Sequence, residues 1–217
     1  MITVEKHLAI MGNGFTTNTY IVTDEETGAT AVVDPSLPED TLIQKLAGKD
    51  VQYILLTHGH FDHICGVKLV KENTGAKVVI HKDEEEMLHD VTKNEFQINC
   101  GEYEFPEVDA DVLTEDGTEI MLGNTKITVM HTPGHSMGGV CYLFTDDLVM
   151  FSGDTLFRLC AGRTDLYGGN GRQELRSLRK ISELEGDYKV YPGHEEDTTL
   201  DFERENNRYM KTRFRNK

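Results

Sequence analysis

Thr57-His58-Gly59-His60-Phe61-Asp62-His63 places three imidazoles and one carboxylate within six residues, directly after the apolar run Tyr53-Ile54-Leu55-Leu56. Imidazole and carboxylate are the side chains that bind borderline divalent ions such as zinc, and the rigid end of a strand is a good place to hold them. The Gly59 turn is expected to bend His58 and His60 toward one ion, while Asp62 and His63 begin a helix and point elsewhere. One loop can therefore feed two metals. Such a site needs more donors, and they should lie downstream.

Three further strand-to-loop junctions supply them. Lys126-Ile127-Thr128-Val129-Met130 alternates as a half-buried strand and runs into His131-Thr132-Pro133-Gly134-His135, where Pro-Gly forces a turn and presents His135 on a loop. Leu148-Val149-Met150-Phe151 reads as a short buried strand ending in Ser152-Gly153-Asp154, so a carboxylate able to bridge two ions again stands at a strand's end. Tyr188-Lys189-Val190-Tyr191 leads into Pro192-Gly193-His194, which repeats the strand, Pro-Gly turn and histidine arrangement. The isolated histidines His7, His81 and His89 read as surface or hydrogen-bonded residues, and His131 as a packed or outer residue.

Those residues, in that order, resemble the metallo-β-lactamase superfamily, whose pattern is a THxHxDH loop, a later His, an Asp and a last His. The likeness extends from Ala31-Val32-Val33-Asp34-Pro35 to Pro192-Gly193-His194. Within the superfamily, Gly153-Asp154-Thr155-Leu156-Phe157 and Gly162-Arg163-Thr164-Asp165-Leu166 look like the glyoxalase II-like (hydroxyacylglutathione hydrolase-like) enzymes, especially the short single-domain bacterial type. The resemblance implies that His58, His60 and His135 hold a first metal, that Asp62, His63 and His194 hold a second, and that Asp154 bridges them. It also implies that Asp34 and Thr57 orient the ligand loop through hydrogen bonds. Arg163 is the candidate for binding a substrate carboxylate, with an ion pair to a neighbouring acid as the competing role.

Composition agrees with an enzyme of one domain. At 217 residues the chain is long enough for a large core, and residues 1–217 are read as a single domain without a separate C-terminal glutathione-binding domain. No apolar run approaches the roughly 20 residues that span a bilayer, and Met1-Ile2-Thr3-Val4-Glu5-Lys6 lacks the pattern of a secretory leader, so a cytoplasmic protein with no membrane partner is expected. The cysteines Cys65, Cys100, Cys141 and Cys160 have no paired spacing, and Cys65, though close to His63, reads as a small buried thiol. A formal net charge of −16 at pH 7 argues against a nucleic-acid partner, because phosphate binding needs clustered Lys and Arg. Asp83-Glu84-Glu85-Glu86 reads as a solvated helical turn. The basic stretch with Arg204, Arg208, Lys211, Arg213 and Arg215 reads as the exposed face and frayed end of a terminal helix. The oligomeric state is left open.

Strand-like runs at residues 8–10, 19–22, 30–33, 53–56 and 77–80 alternate with helix-like stretches near 39–47 and 64–73. A second half repeats the alternation, with strands at 119–122, 127–130, 140–144, 148–151 and 189–191 and a helix from about 172 to 184. Two sheets covered by helices fit this α/β pattern. The resemblance makes it the αββα four-layer sandwich, two mixed sheets flanked by helices, with the metals at one sheet edge. The acid-rich stretch from Asp90 to Asp116, poor in regular pattern, is expected to lie over the site.

The chemistry follows from two divalent ions, zinc by default with iron or manganese able to substitute. A bound divalent cation lowers the pKa of water from about 15.7 to near 7, so two ions sharing a water supply a bridging hydroxide without a strong protein base. Asp62 and Asp154 would position it as the catalytic carboxylates. A small-molecule thioester suits this nucleophile, because a thiol leaving group with a pKa near 8.5 departs with little protonation, whereas an amide needs a proton donor. The competing expectation is a mononuclear iron persulfide dioxygenase, since those enzymes look similar and share the Gly-Arg-Thr-Asp segment. Flavodiiron proteins carry Glu where His60 stands, and a non-catalytic scaffold would be expected to lose ligands.

Overall fold

Every residue of Ala29–Val33 is buried, the mark of a strand covered on both faces. In the computed structural model, which describes residues 1–12, 14–99, 105 and 107–211, this segment is the third strand of a first sheet. The sheet contains β1 (Ile2–Ile10), β2 (Thr16–Asp24), β3 (Ala29–Val33), β4 (Asp50–Leu55), β5 (Lys77–His81) and β6 (Val112–Thr114), side by side in chain order. β1, β2 and β3 pair antiparallel; β3 to β6 pair parallel. The second half supplies β7 (Glu119–Leu122), β8 (Thr125–His131), β9 (Val140–Phe144) and β10 (Val149–Gly153), then the small hairpin β11 (Leu156–Phe157) and β12 (Cys160–Ala161), then β13 (Lys189–Pro192) and β14 (Thr198–Thr199). Its sheet runs β14-β13-β10-β9-β8-β7 and is also mixed, with β10 and β13 parallel and the other neighbours antiparallel.

Strand periodicity explains the layers. Tyr20, Val22, Ala31, Val33, Leu55 and Val79 face the second sheet and meet Ile127, Val129, Tyr142, Phe144 and Phe151 in one core. The intervening residues Val32, Ile54, Leu56, Val78 and Ile80 face outward onto α1 (Asp40–Leu46) and α3 (Val67–Thr74) through Leu42, Leu46, Val67 and Val70. Between these helices in the chain lies the single turn α2 (Phe61–Ile64), and after them comes the short α4 (Phe96–Asn99). On the far side, Cys141, Leu143, Met150 and Val190 pack under Leu178 and Ile181 of α5 (Gly171–Ser182) and Leu200 of α6 (Leu200–Asn206). The result is the expected αββα order of layers.

Several local expectations need correction. The helix expected over residues 64–73 breaks at Cys65–Gly66, giving α2 and α3, because the Gly66 N–H donates to Pro35 O at 2.8 Å and a Cβ on Gly66 would stand 2.5 Å from Leu37 O. The acidic run is not wholly solvated: Glu84 is buried, whereas Asp83, Glu85 and Glu86 face water. The terminal helix runs from Leu200 to Asn206, and Arg204, expected on its exposed face, is half-buried. Arg204 is spent on carbonyls at and just beyond the end of α5, donating to Ser182 O at 3.1 Å and Gly186 O at 2.9 Å. Arg213 and Arg215 lie outside the described residues, as does Cys100. The stretch from Asp90 to Asp116 holds α4 and β6, with residues 100–104 and 106 outside the described ones.

Candidate metal centre

The loops that carry His58, His135, Asp154 and His194 follow the C-terminal ends of β4, β8, β10 and β13, at one end of the sandwich. They are stitched to each other across the two sheets. Val140 N–H donates to Thr57 O at 2.9 Å, and the Tyr142 hydroxyl donates to Leu56 O at 2.8 Å. Asn18 N–H of β2 donates to Gly193 O at 2.7 Å, and Gly193 N–H donates to Gly153 O at 2.9 Å. A backbone tied in this way holds its side chains to a narrow range of positions, which a multidentate site requires.

The donor atoms converge in overlapping groups. His58, His60 and His135 offer ligand atoms within 4.8 Å of one another, as do Asp62, His63 and His194. Asp154 joins the groups: its Oδ1 lies 3.4 Å from His63 Nε2, and its Oδ2 lies 3.3 Å from His194 Nε2 and 3.5 Å from His135 Nε2. Asp62 Oδ2 stands 3.2 Å from Nε2 of both His63 and His194. His60 Nδ1 faces His135 Nε2 at 2.9 Å. Nε2 of His58 and Oδ1 of Asp154 are buried without a hydrogen-bond partner, an arrangement that costs free energy unless a cation takes the lone pairs. The residues therefore fit a pair of divalent ions.

Outer contacts fix the rings. Asp34 accepts from Thr57 N–H at 2.8 Å and from the Thr57 hydroxyl at 2.6 Å, and its Oδ2 meets His63 Nδ1 at 2.9 Å. Thr57 Oγ1 lies 3.1 Å from His58 Nδ1. His135 Nδ1 and His194 Nδ1 meet backbone oxygens, Arg163 O at 2.8 Å and Thr16 O at 2.6 Å. These contacts leave the opposite nitrogens of His58, His63, His135 and His194 turned to the centre. Asp34 and Thr57 thus lie against the rings of His63 and His58. Cys65 lies in an apolar cluster with Ala9, Met11, Leu37 and Phe96.

Electrostatics separates the two groups. Burial lowers His58 well below the usual imidazole value, reinforced by His63 and His60; burial and the neighbouring His135 bring His60 to about 3. In the other group burial opposes charge too, but carboxylates prevail. Asp62, Asp154 and Asp34 raise His63 well above its ordinary value, and Asp154 and Asp62 raise His194 to about 10. Burial alone would raise the carboxyls of Asp62 and Asp154, yet His63 and His194 hold both well below the usual carboxylate range.

Metal uptake at the second group should therefore release protons. A ligating imidazole must be neutral, and in the metal-free protein at pH 7 His63 and His194 carry protons that an incoming ion displaces. Affinity there rises with pH until His194 has titrated at about 10, whereas His58 and His60, neutral already, add no such slope at neutral pH. Zinc titration calorimetry at pH 7 in buffers of different ionisation enthalpy measures this. Equal proton release on binding each ion would sink the assignment.

Two cavities of about 250 Å³ and about 430 Å³ open beside the donors, sharing Phe15, Asp154 and Arg163. The first adds Glu95, Ile98 and Asn99 around α4, which brings part of the expected covering segment to the site; the second adds Phe157, Cys160 and Glu195. Arg163 is exposed and engaged in a two-point pair with Asp165, Nε to Oδ1 at 2.7 Å and Nη2 to Oδ2 at 2.8 Å. Because His135 leans on the backbone oxygen of Arg163 and not its guanidinium, Arg163→Ala should leave metal content unchanged and alter stability by less than about 1 kcal/mol. Elemental analysis and thermal melting check this, and loss of an ion would contradict it.

Sequence reading overlooked three contributors. Thr17, on the buried polar start of β2, donates to Asp62 Oδ2 at 3.1 Å. Glu174 of α5 lies under the His135 loop, where a Cβ on Gly134 would come within 2.3 Å of its Cα, and burial pushes its carboxyl up to about 8. Glu84 accepts from the backbone amides of Gly59 and Gly138, next to the first group in the chain. His131, by contrast, stacks on His81 with ring centres 4.2 Å apart and planes 12° from parallel, and its Nε2 meets Met137 O at 3.0 Å. Near-parallel imidazoles do not share an ion in both ring planes, so the cluster of His81, Asp83 and His131 is not assigned as a third metal group.

Comparison with known proteins agrees with this geometry. The family model described as the metallo-beta-lactamase superfamily matches residues 12–194. A hydroxyacylglutathione hydrolase of Rhodospirillum rubrum is 32% identical over 197 residues, which cover 90% of this chain and 68% of that protein. Among solved structures, the B3 metallo-beta-lactamase BLEG-1 superposes with a TM-score of 0.88 at 31% identity, covering 97% of this chain and 100% of the other. TTHA1623, solved in a di-iron-bound form, gives 0.79 at 29% identity, over 94% of this chain and 99% of the other.

Proposed function

As the chain belongs to the metallo-β-lactamase superfamily, we propose that it is a dinuclear metal-dependent hydrolase that cleaves small-molecule thioesters in the manner of the hydroxyacylglutathione hydrolases. The observation that carries this reading is Asp154, which reaches toward His63 with one oxygen and toward His135 and His194 with the other, so that one carboxylate serves two groups of donors. His58, His60 and His135 would hold one ion and Asp62, His63 and His194 the other. Zinc is the proposed metal, although the likeness to a di-iron protein keeps iron open. Bound there, the ions supply Lewis acidity toward a carbonyl oxygen and an acidified water.

The chain's own residues do the rest. Asp62 and Asp154, ionised by their histidine neighbours, accept and hold a proton-donating water between the two groups. Phe15 and Phe61 line the cavity beside them and reduce the water that surrounds a bound acyl group. Arg163 and Asp165 at the mouth offer a charged pair to the distal part of a substrate. The thiol leaves as thiolate, because its pKa of about 8.5 makes prior protonation unnecessary.

The likeness to BLEG-1 over nearly all of the chain favours a β-lactam as the second substrate class. The test is thiol release from S-lactoylglutathione and a panel of other acyl thioesters by zinc-loaded protein. Cephalosporin hydrolysis and oxygen uptake with glutathione persulfide are measured beside it. Thiol release from several thioesters is expected. Cephalosporin hydrolysis without thiol release would move the assignment to the β-lactam. A single iron per chain with persulfide-dependent oxygen uptake would overturn the hydrolase in favour of the dioxygenase.

A further inference from the structure

The 3-10 turn Lys82–Leu88 directs every third residue inward, so Glu84 and Met87 are buried while the carboxylates beside them face solvent. Glu84 is 0% exposed. A buried carboxylate is costly to desolvate and persists where fixed donors surround it. Here the donors are backbone amides of two different ligand loops: Gly59 N–H reaches Oε2 at 2.9 Å, and Gly138 N–H reaches Oε1 at 2.6 Å. Gly59 separates His58 from His60. Gly138 lies on the His135 loop, which closes on itself through Thr132 N–H to Gly139 O at 2.8 Å.

Both glycines allow the turn to press close. A Cβ on Gly59 would stand 2.6 Å from Met87 Cβ, and one on Gly138 would stand 2.7 Å from Glu84 Cγ. The distance from each loop to the turn is thus set by glycine backbone lying directly against Met87 and Glu84 side-chain atoms, with one carboxylate spanning the gap between the two loops.

We propose that Glu84 is a positioning residue for the first metal group: by tying the backbone between His58 and His60 to the backbone of the His135 loop, it sets the separation at which those three imidazoles face one another. The proposal rests on the dinuclear reading above. The second group is held by other links, namely Asp34 to His63 at 2.9 Å, Thr17 to Asp62 at 3.1 Å and Thr16 O to His194 at 2.6 Å. Glu84→Gln keeps the size of the side chain but turns an NH2 toward one of the two amides. One tie becomes an encounter between donors.

Metal-free wild type and Glu84→Gln are dialysed against zinc with a competing chelator, and cobalt(II) spectra identify the site affected. The wild type is expected to take up two ions. The variant is expected to bind the ion of the three-histidine group about 10- to 100-fold more weakly, the usual cost of losing an outer partner, with the other ion's affinity unchanged. Equal affinities in variant and wild type, or equal weakening of both ions, would overturn the proposal. A wild type that takes up fewer than two ions would overturn the dinuclear reading itself. If Glu84→Gln does not fold, hydrogen exchange on metal-free wild type decides: protected amides at Gly59 and Gly138 support the tie, and fast exchange at both refutes it.

Discussion

Asp154→Ala is expected to abolish thioester turnover and to weaken both metals at once. Loss of an outer hydrogen-bond partner costs a metal site about 10- to 100-fold in affinity or activity, and Asp154 stands inside the donor set, so its removal should cost more. Asp154 Oδ1 faces His63 at 3.4 Å and Oδ2 faces His194 at 3.3 Å and His135 at 3.5 Å, so under the proposed bridging role the substitution removes a donor from each group. It also leaves His63 and His194 without one of the carboxylates that raise them. Zinc content and kcat measured on the same preparation test this. A variant that keeps both ions and full rate would refute the bridging role.

Asp34→Ala should give the largest loss of stability. Asp34 is buried at a left-handed backbone position, φ 48°, and its carboxylate receives Thr57 N–H, the Thr57 hydroxyl and the Nδ1 side of His63. Alanine strands those groups and meets a conformation that Asp and Asn tolerate better. Breaking a buried charge pair by removing one partner costs about 3–5 kcal/mol. At roughly 2–4 °C per kcal/mol for a chain of this size, the melting temperature of the metal-free protein should fall by about 6–20 °C. Asp34→Asn should lose less, since asparagine suits the backbone and still offers one acceptor. A fall of under about 2 °C in Asp34→Ala would show that Asp34 carries little of the loop's support.

The contrast between Asp34 and Glu84 shows how far the chain could be read. Asp34 follows a continuous apolar strand, and the donors His58, His60, Asp62 and His63 are neighbours in sequence, so their chemistry is visible locally. Glu84 stands in a run of acids, and such runs are ordinarily solvated; its burial follows from the three-residue period of the turn and from close contact with Gly59, neither of which has a hydropathy signature. The polar start of β2, Thr17-Asn18-Thr19, is buried in the fold, and three successive polar residues carry no hydropathy signal of that burial. The break between α2 and α3 comes from a tertiary contact at Gly66. β11, β12 and β14 span two residues each, too few for periodicity to declare a strand.

The two sheets are consecutive in the chain: the first is built from residues up to Thr114, the second from Glu119 onward. His58, His60, Asp62 and His63 therefore leave the ribosome well before His135, Asp154 and His194, and synthesis adds only about 5–20 residues per second. For several seconds the nascent chain displays a half-set of donors with the cross-sheet ties of Thr57 and Asn18 still unmade. Both groups reach their full complement of donors only once the second sheet has formed on the first, so a binding-competent centre is the last thing this chain order can assemble.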